Sequence, residues 1–278
     1  MGRLIEEGPE EKMAETATSQ ALMYVAACAA LEVLRQEHPD AAARPRCVAG
    51  FSVGEYAALV AAGVITYDQG LIIVKARADA LQRFAEEHTI GRACITGLTQ
   101  DEVEELCAAA VQRDSSVGAV DPQVYISHHL GPNSFGCAGA ASTVAKLRRL
   151  AEDTGAGVQA VEADLHAAHT PMAKEVAKEV SEVIATIPLE PPKCDVYFNS
   201  GYCAPAGSAP ADFQEHLERQ LTEPVQWEAT VSACLEDGVR GFYECGPGAS
   251  LWFAMGAFET HSVRGDLRPW EFTTSLCL

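Results

Sequence analysis

The spacing of apolar residues predicts alternating helices and strands along most of the chain. Apolar positions at helical spacing favour long helices over residues 16–37 and 67–88, and the apolar run 47–50 between them is typical of a buried strand. Further elements are predicted in the C-terminal half: helices at 175–187, 213–221 and 225–235, and strands at 194–199 and 241–245. Strands that alternate with helices predict a mostly parallel sheet covered by helices on both faces.

Residues 91–165 have a different pattern of short strands. Thr99 and Glu102 form a capping box at the start of one helix, and Ser142 is predicted to cap a second. The strands flank these helices in the order β-α-β-β-α-β, which is the split βαβ arrangement of ferredoxin-like domains. We therefore predict a large α/β domain, residues 1–90 and 166–278, into which a small ferredoxin-like domain, residues 91–165, is inserted.

Composition restricts the classes of function. Of the 278 residues 48% are hydrophobic and 21% charged, which is typical of a soluble globular protein. A formal net charge of −19 argues against a nucleic-acid partner, and no apolar run is predicted to span a membrane. The ten cysteines include no C-x-x-C pair, so we expect free thiols in a reducing compartment and no zinc site. Residues 1–13 are acidic and lack the pattern of a secretory signal.

One short motif joins the strand at 47–50 to the helix after it. Gly50-Phe51-Ser52-Val53-Gly54 places a serine between two glycines at a strand-to-helix turn, as in the nucleophile elbow of α/β-hydrolases. Side chains at the glycine positions would crowd the turn, and the helix directs its unpaired N–H groups back towards Ser52. An α/β-hydrolase-like fold is therefore expected. The motif alone is common, so an ordinary turn is the alternative.

A serine needs a base before it can act as a nucleophile, and the sequence offers more than one. His166 and His169 both lie where the chain passes between the two predicted domains, and spacing alone does not separate them from each other or from ordinary loop histidines. Arg77 lies between alanines on the 67–88 helix and must be paired if it is buried. Spacing favours a structural acid such as Asp79 or Glu55; a substrate carboxylate is the alternative.

Five stretches, taken together and in order, resemble the malonyl-CoA:acyl-carrier-protein transacylases and the related acyltransferase domains of polyketide synthases. The elbow with its following helix is the first, and Phe51 is similar to the animal mitochondrial form. The other four matching stretches are 74–82, Ala168-His169-Thr170, the Q-L-x-x-P-V-x-W segment 220–227 and the E-x-G-P-G segment 244–248.

The resemblance implies roles for the candidate residues. Ser52 would be the nucleophile and His169 its base and acid, which leaves His166 as a pocket residue. The remaining roles concern substrate and geometry: Arg77 would clamp the malonyl carboxylate, the Val53 N–H would bind the oxyanion, the Gln220 carbonyl would orient the imidazole, and Gln20 would lie near the pocket.

The resemblance also implies an activity. The chain would transfer a malonyl group from malonyl-CoA to the phosphopantetheine thiol of acyl carrier protein, for fatty acid or polyketide synthesis. It would act as a monomer, without metal or cofactor and without a membrane partner. The mitochondrion is the expected compartment, with plastid and cytoplasm as alternatives. The alternative functions are a serine esterase or thioesterase, and a non-catalytic relative that binds carrier protein.

Two departures from the family pattern bear on activity and specificity. It begins after the family's first strand and G-Q-G-S-Q loop, which supplies a second oxyanion donor; the expectation is a truncated chain with turnover lower by about two to three orders of magnitude. Ala168 stands where malonyl-selective polyketide acyltransferases often have phenylalanine. Malonyl over methylmalonyl remains the expected specificity.

Overall fold

The computed structural model describes residues 8–119, 121–161, 166–247 and 251. Its α-helices are α1 (Glu10–Ala14), α2 (Thr16–Glu37), α3 (Pro39–Ala43), α4 (Gly54–Ala61), α5 (Tyr67–Glu87), α6 (Gln100–Ser116), α7 (Ala141–Asp153), α8 (Lys174–Ile184), α9 (Gln214–Glu218) and α10 (Trp227–Glu236). Its strands are β1 (Cys47–Ala49), β2 (Ile90–Thr96), β3 (Val124–Gly131), β4 (Ser134–Ala140), β5 (Gly157–Ala160), β6 (Asp195–Tyr197), β7 (Cys203–Ala204) and β8 (Val225–Gln226).

A three-stranded sheet lies at the centre of the larger part of the molecule. β1 pairs with β6 in parallel, with Cys47 opposite Asp195 and Ala49 opposite Tyr197, and β7 pairs with β6 in the antiparallel sense. Helices α2, α4, α5 and α8 pack side chains into the core around this sheet. The predicted α/β fold is confirmed. The described part of the sheet is mixed, because β7 is a short return strand that the pattern did not predict.

Helix α2 is long and apolar enough to cross a membrane by length and composition alone. It has 22 residues, and an 18-residue window within it has a mean hydropathy of 1.4. In the fold, however, α2 packs against α5. Its buried side chains include Tyr24, Leu31 and Leu34. These contacts are those of a core helix.

The smaller part of the molecule has the predicted β-α-β-β-α-β order, β2-α6-β3-β4-α7-β5. Its strands form an antiparallel sheet in the order β5-β2-β4-β3. Helices α6 and α7 enclose a second core with one face of this sheet. A strand from outside the region, β8, adds to its edge in parallel with β3, with Val225 opposite His128. The domain limits at residues 90/91 and 165/166 stay a prediction.

Two local predictions in this region were wrong. Helix α7 begins at Ala141, and the Ser142 hydroxyl does not cap it but donates to the Asp114 carboxylate at 2.7 Å. Asp114 is buried and needs such donors, which also include Lys146 at 2.7 Å. Residues 225–226 are strand rather than helix, because β3 and the Asn199 carbonyl take their backbone bonds.

The strand predicted at 241–245 is absent from the described residues, where Glu244 makes a single bridge. Phe242 and Cys245 are the buried side chains of this stretch. They lie three positions apart, whereas a strand buries alternate residues. The turn predicted at 246–248 lies partly outside the described residues.

The nine described cysteines are all free, as predicted, and most are buried. The predicted order of strand, turn and helix at the elbow is also observed. β1 ends at Ala49 and α4 begins at Gly54. A Cβ atom on Gly50 would lie 2.2 Å from the carbonyl carbon and oxygen of Gly54, far inside van der Waals contact. Only glycine therefore allows β1 and α4 to approach this closely.

We expect Gly50→Ala to lower the free energy of unfolding by about 1–3 kcal/mol or more, because the added methyl group meets rigid backbone. Gly241→Ala is the matched control, since a Cβ there meets open space. Chemical denaturation of both variants measures the difference. Equal stability would show that the turn relaxes to accept a side chain.

Candidate active site

Ser52 occupies a strained backbone conformation at the tip of the elbow. Its φ angle is 54°, in the left-handed region that few residues other than glycine adopt. Two side chains hold the turn in place: the Ser52 N–H donates to Asn199 Oδ1 at 2.7 Å, and its carbonyl accepts from Gln220 Nε2 at 3.0 Å. The hydroxyl is thereby fixed outside the strand and the helix.

His169 is the histidine that reaches this hydroxyl. Its Nε2 lies 2.7 Å from Ser52 Oγ, and its Nδ1 lies 2.8 Å from the Gln220 carbonyl oxygen. A carbonyl only accepts, so Nδ1 carries the proton and Nε2 presents a lone pair to the serine. His166 instead lies in the wall of the cavity in front of Ser52, and its Nδ1 accepts from the Ala168 N–H at 3.3 Å. The geometry separates the two candidates that spacing left open.

Arg77 is buried beside the same hydroxyl. Its side chain comes from α5 and is 1% exposed. Nη2 donates to Ser52 Oγ at 2.9 Å, and Nη1 donates to Gln20 Oε1 on α2. Of the two acids that spacing favoured as partners, Asp79 is wrong, because it binds Lys75 one turn away on the outer side of the helix. The charge of Arg77 does act on the other, Glu55, where it opposes the rise in pKa that burial causes. A buried guanidinium that contacts a reactive hydroxyl is placed to bind an anion at that point.

The buried carboxylate of Glu55 is hydrogen-bonded to both Asn199 and Gln220, the two residues that hold the backbone of Ser52. Glu55 is fully buried; its Oε2 accepts from the Asn199 backbone N–H at 2.5 Å and from Asn199 Nδ2, and its Oε1 accepts from Gln220 Nε2 at 3.1 Å. Asn199 Nδ2 also donates to the Gly50 carbonyl at 2.6 Å. Burial raises the pKa of Glu55 to about 7 even though these donors lower it. Gln220 thus supports Ser52 and does not line the cavity.

Asn199 was not among the predicted site residues. One signal was present: Asn199 follows β6, and β6 was predicted in a parallel sheet with β1. The carboxyl ends of parallel strands meet at one edge, which is where functional residues collect in such sheets. Asn199 and the elbow after β1 meet there.

A cavity of about 140 Å³ opens in front of Ser52, between the larger and smaller parts of the molecule. The larger part contributes Gln20, Val53 and Arg77 to its wall, and the smaller contributes Arg92 and His128. Within the described residues the Val53 N–H donates to no other group. Val53 is the residue between Ser52 and the start of α4, so its N–H can donate a hydrogen bond to a developing oxyanion.

Aromatic rings connect the two parts of the molecule beside this cavity. Phe51 stacks on His128 with ring centroids 5.2 Å apart and meets the edge of Trp227 at 5.6 Å. His128 in turn meets the His169 ring edge-on at 5.1 Å. The residue before the serine thus packs against the smaller part of the molecule, which brings that part against the catalytic candidates.

The imidazoles of this site are neutral at neutral pH. Burial, together with the positive charge of Arg77, lowers the pKa of His169 to about 3, although the bond to the Gln220 carbonyl raises it. Burial also lowers the pKa values of His128 and His166 well below their ordinary range. His169 is consequently in the form that can remove the serine proton, and Arg77 beside it can hold a substrate carboxylate.

Comparison with known proteins agrees with this geometry. The family model described as "Acyl transferase domain" matches residues 2–257. The chain is 30% identical over 248 residues to the human "Malonyl-CoA-acyl carrier protein transacylase, mitochondrial", covering 88% of this chain and 63% of that relative. It is 32% identical over 252 residues to the "Malonyl CoA-acyl carrier protein transacylase" of Escherichia coli K12, covering 89% and 76% respectively. The chain thus spans less than two thirds of the length of the human relative.

Solved structures give the same result. An acyl-carrier-protein S-malonyltransferase from Burkholderia pseudomallei matches with a TM-score of 0.81 and 30% identity, covering 93% of this chain and 80% of that one. A malonyl-transacylase in complex with a type II polyketide acyl carrier protein matches with a TM-score of 0.82 and 26% identity, over 93% and 80%. With a family model that spans nearly its whole length, the chain belongs to the acyl transferase domain family.

Proposed function

We propose that the chain transfers a malonyl group from malonyl-CoA to the phosphopantetheine thiol of acyl carrier protein, through a malonyl ester on Ser52. One observation carries the proposal: Ser52 Oγ lies 2.7 Å from a neutral imidazole nitrogen of His169 and 2.9 Å from the Arg77 guanidinium. A base and an anion-binding group on one hydroxyl fit a serine that reacts with a short acyl group bearing a carboxylate.

The first half of the reaction acylates the serine. Ser52 Oγ attacks the thioester carbonyl while its proton passes to His169 Nε2, and the Gln220 carbonyl stabilises the resulting imidazolium through Nδ1–H. The Val53 N–H holds the oxyanion of the tetrahedral intermediate. Collapse of the intermediate breaks the C–S bond, and the departing CoA sulfur takes the proton from Nε2.

The second half reverses these roles. The phosphopantetheine thiol gives its proton to His169 Nε2 and its sulfur attacks the ester carbonyl. The tetrahedral intermediate collapses, the C–O bond breaks, and Ser52 Oγ recovers the proton. Acyl carrier protein leaves as the malonyl thioester. The chain's own residues supply every proton transfer, so the proposal includes no metal or cofactor.

The position of Arg77 selects the length of the acyl group. In a malonyl group the carboxylate is separated from the thioester carbonyl by a single carbon. A guanidinium within hydrogen-bond distance of the nucleophile therefore reaches that carboxylate when the carbonyl is at Ser52. Gln20 fixes the other nitrogen of the guanidinium, and its buried Nε2 has no partner within the described residues. We assign this amide N–H to the same carboxylate.

The names of the relatives support an assignment of substrates and compartment to this chain. Malonyl-CoA and acyl carrier protein appear in the names of the relatives from human, fly and Escherichia coli, and the human, fly and mouse names add "mitochondrial". We assign the same two substrates and the same compartment to this chain, acting as a monomer.

Incubation of the full chain with labelled malonyl-CoA should place the malonyl mass on Ser52, and addition of acyl carrier protein should move it to the carrier. Peptide mass spectrometry locates the label, and Ser52→Ala is the control. Release as free malonate without transfer would support the esterase alternative instead. A folded chain without any label would leave only the non-catalytic alternative.

We expect Arg77→Ala to lose at least about tenfold in acylation by malonyl-CoA and to gain in acylation by acetyl-CoA, because a neutral acyl group no longer meets a buried charge. Arg83→Ala on the exposed side of α5 is the matched control, since its partner Glu179 is also exposed. The ratio of the two acylation rates measures the change. An unaltered ratio would remove Arg77 from carboxylate binding.

The rate of Ser52 acylation should stay level from about pH 5 to pH 8. The pKa of His169 is lowered to about 3, so the imidazole remains a base as the pH falls through the ordinary histidine range near 6.5. Single-turnover acylation across this range, with circular dichroism to confirm folding, is the measurement.

Burial raises the pKa of Glu55 to about 7, so a step near pH 7 that disappears in Glu55→Gln belongs to Glu55 and not to His169. Glu55→Gln removes that titration and serves as the control. A step near pH 6.5 that persists in Glu55→Gln would show that His169 titrates normally and would contradict the prediction.

A further inference from the structure

The cavity in front of Ser52 contains a second arginine. Arg92 lies on β2, the first strand of the smaller part of the molecule. Its neighbours Ala93 and Ile95 bury their side chains with α6 and α7. Side chains alternate between the two faces of a sheet along each strand, so Arg92 lies on the face opposite Ala93 and Ile95. Its side chain lines the same cavity as Ser52 and Arg77.

Among the described residues, the charged side chains in the wall of this cavity are arginines. Its described lining includes two arginines and two neutral histidines, and no aspartate or glutamate. Glu55 lies close to Ser52 but outside this lining, and its carboxylate accepts hydrogen bonds from Asn199 and Gln220. Two arginines in one cavity of a chain with a net charge of −19 favour an anionic group at that place.

The two arginines act on the same space. After burial, the positive charges of both arginines lower the pKa values of His166 and His169. They come from opposite walls, however: Arg77 from α5 in the larger part and Arg92 from β2 in the smaller part. An anion between them would meet one guanidinium from each side.

We propose that Arg92 is a second carboxylate-binding residue of the acyl cavity, so that both parts of the molecule hold the free carboxylate of a dicarboxylic acyl thioester at once. This inference rests on the proposed function, because it concerns the same acyl group. Two planar guanidinium groups can each present paired N–H donors to one carboxylate, which a single arginine cannot do from both sides. Arg92 then contributes to preference for malonyl over neutral acyl groups.

Binding without chemistry gives the most direct test. In a Ser52→Ala background, calorimetry compares malonyl-CoA with acetyl-CoA before and after Arg92→Met. We expect about tenfold weaker binding of malonyl-CoA and acetyl-CoA binding within about twofold of the starting value. Because Arg77 stays in place, the change isolates the second arginine. Arg149→Met, on the exposed surface of α7, is the matched control.

Two results would overturn the inference. Unchanged binding of malonyl-CoA would show that Arg92 does not contact the carboxylate. Equal weakening for both thioesters would assign Arg92 to the CoA portion or to the architecture of the wall. Arg92→Gln repeats the measurement with a polar side chain in case the methionine variant unfolds, and thermal unfolding identifies that case.

The acylation assay separates this inference from the proposed function. Malonyl-CoA binding that depends on Arg92, in a chain whose Ser52 is never acylated, would support the anion site and refute the transferase. Acylation and transfer that are indifferent to Arg92 would do the reverse.

Discussion

The buried carboxylate of Glu55 is the group on which the geometry of the site depends. It receives hydrogen bonds from Asn199 and Gln220, and each of these residues holds a different side of Ser52. The Gln220 backbone also fixes the proton of His169. Burying a carboxylate is costly unless donors surround it, and here the donors are the residues that hold the elbow. Stability and catalytic geometry therefore depend on one hydrogen-bond network.

Elements with a strong local period were predictable from the sequence. The helix predicted at 67–88 is observed at Tyr67–Glu87, and the helix at 16–37 has the predicted limits. Local pattern failed where distant contacts decide the structure. Residues 225–226 begin the segment 225–235 that was predicted as a helix, yet they pair with the edge strand β3 and form a strand. A pattern of neighbouring residues carries no information about pairing with a strand that is distant in the sequence.

The same distinction applies to the site. Spacing could not choose between His166 and His169, because the choice depends on a positive φ at His169 and on a carbonyl 51 residues away. The family resemblance indicated His169. Spacing also favoured an acid for Arg77, whose observed contact on α2 is 57 residues away. Asn199 belongs to no motif that the sequence analysis used. Residues that act through long-range contacts leave little trace in local sequence.

Because β8 pairs with β3, the smaller part of the molecule cannot be removed without exposing backbone of the larger part. Strand β8 lies between the Gln220 segment and α10, yet its hydrogen-bonding partner is the sheet that contains β2 to β5. Excision of that sheet would leave the β8 backbone without its partner strand and would uncover Phe51, which stacks on His128. Unpaired strand edges beside exposed aromatic rings promote aggregation. The sheet of β2 to β5 is therefore an integral part of the structure and not a removable module.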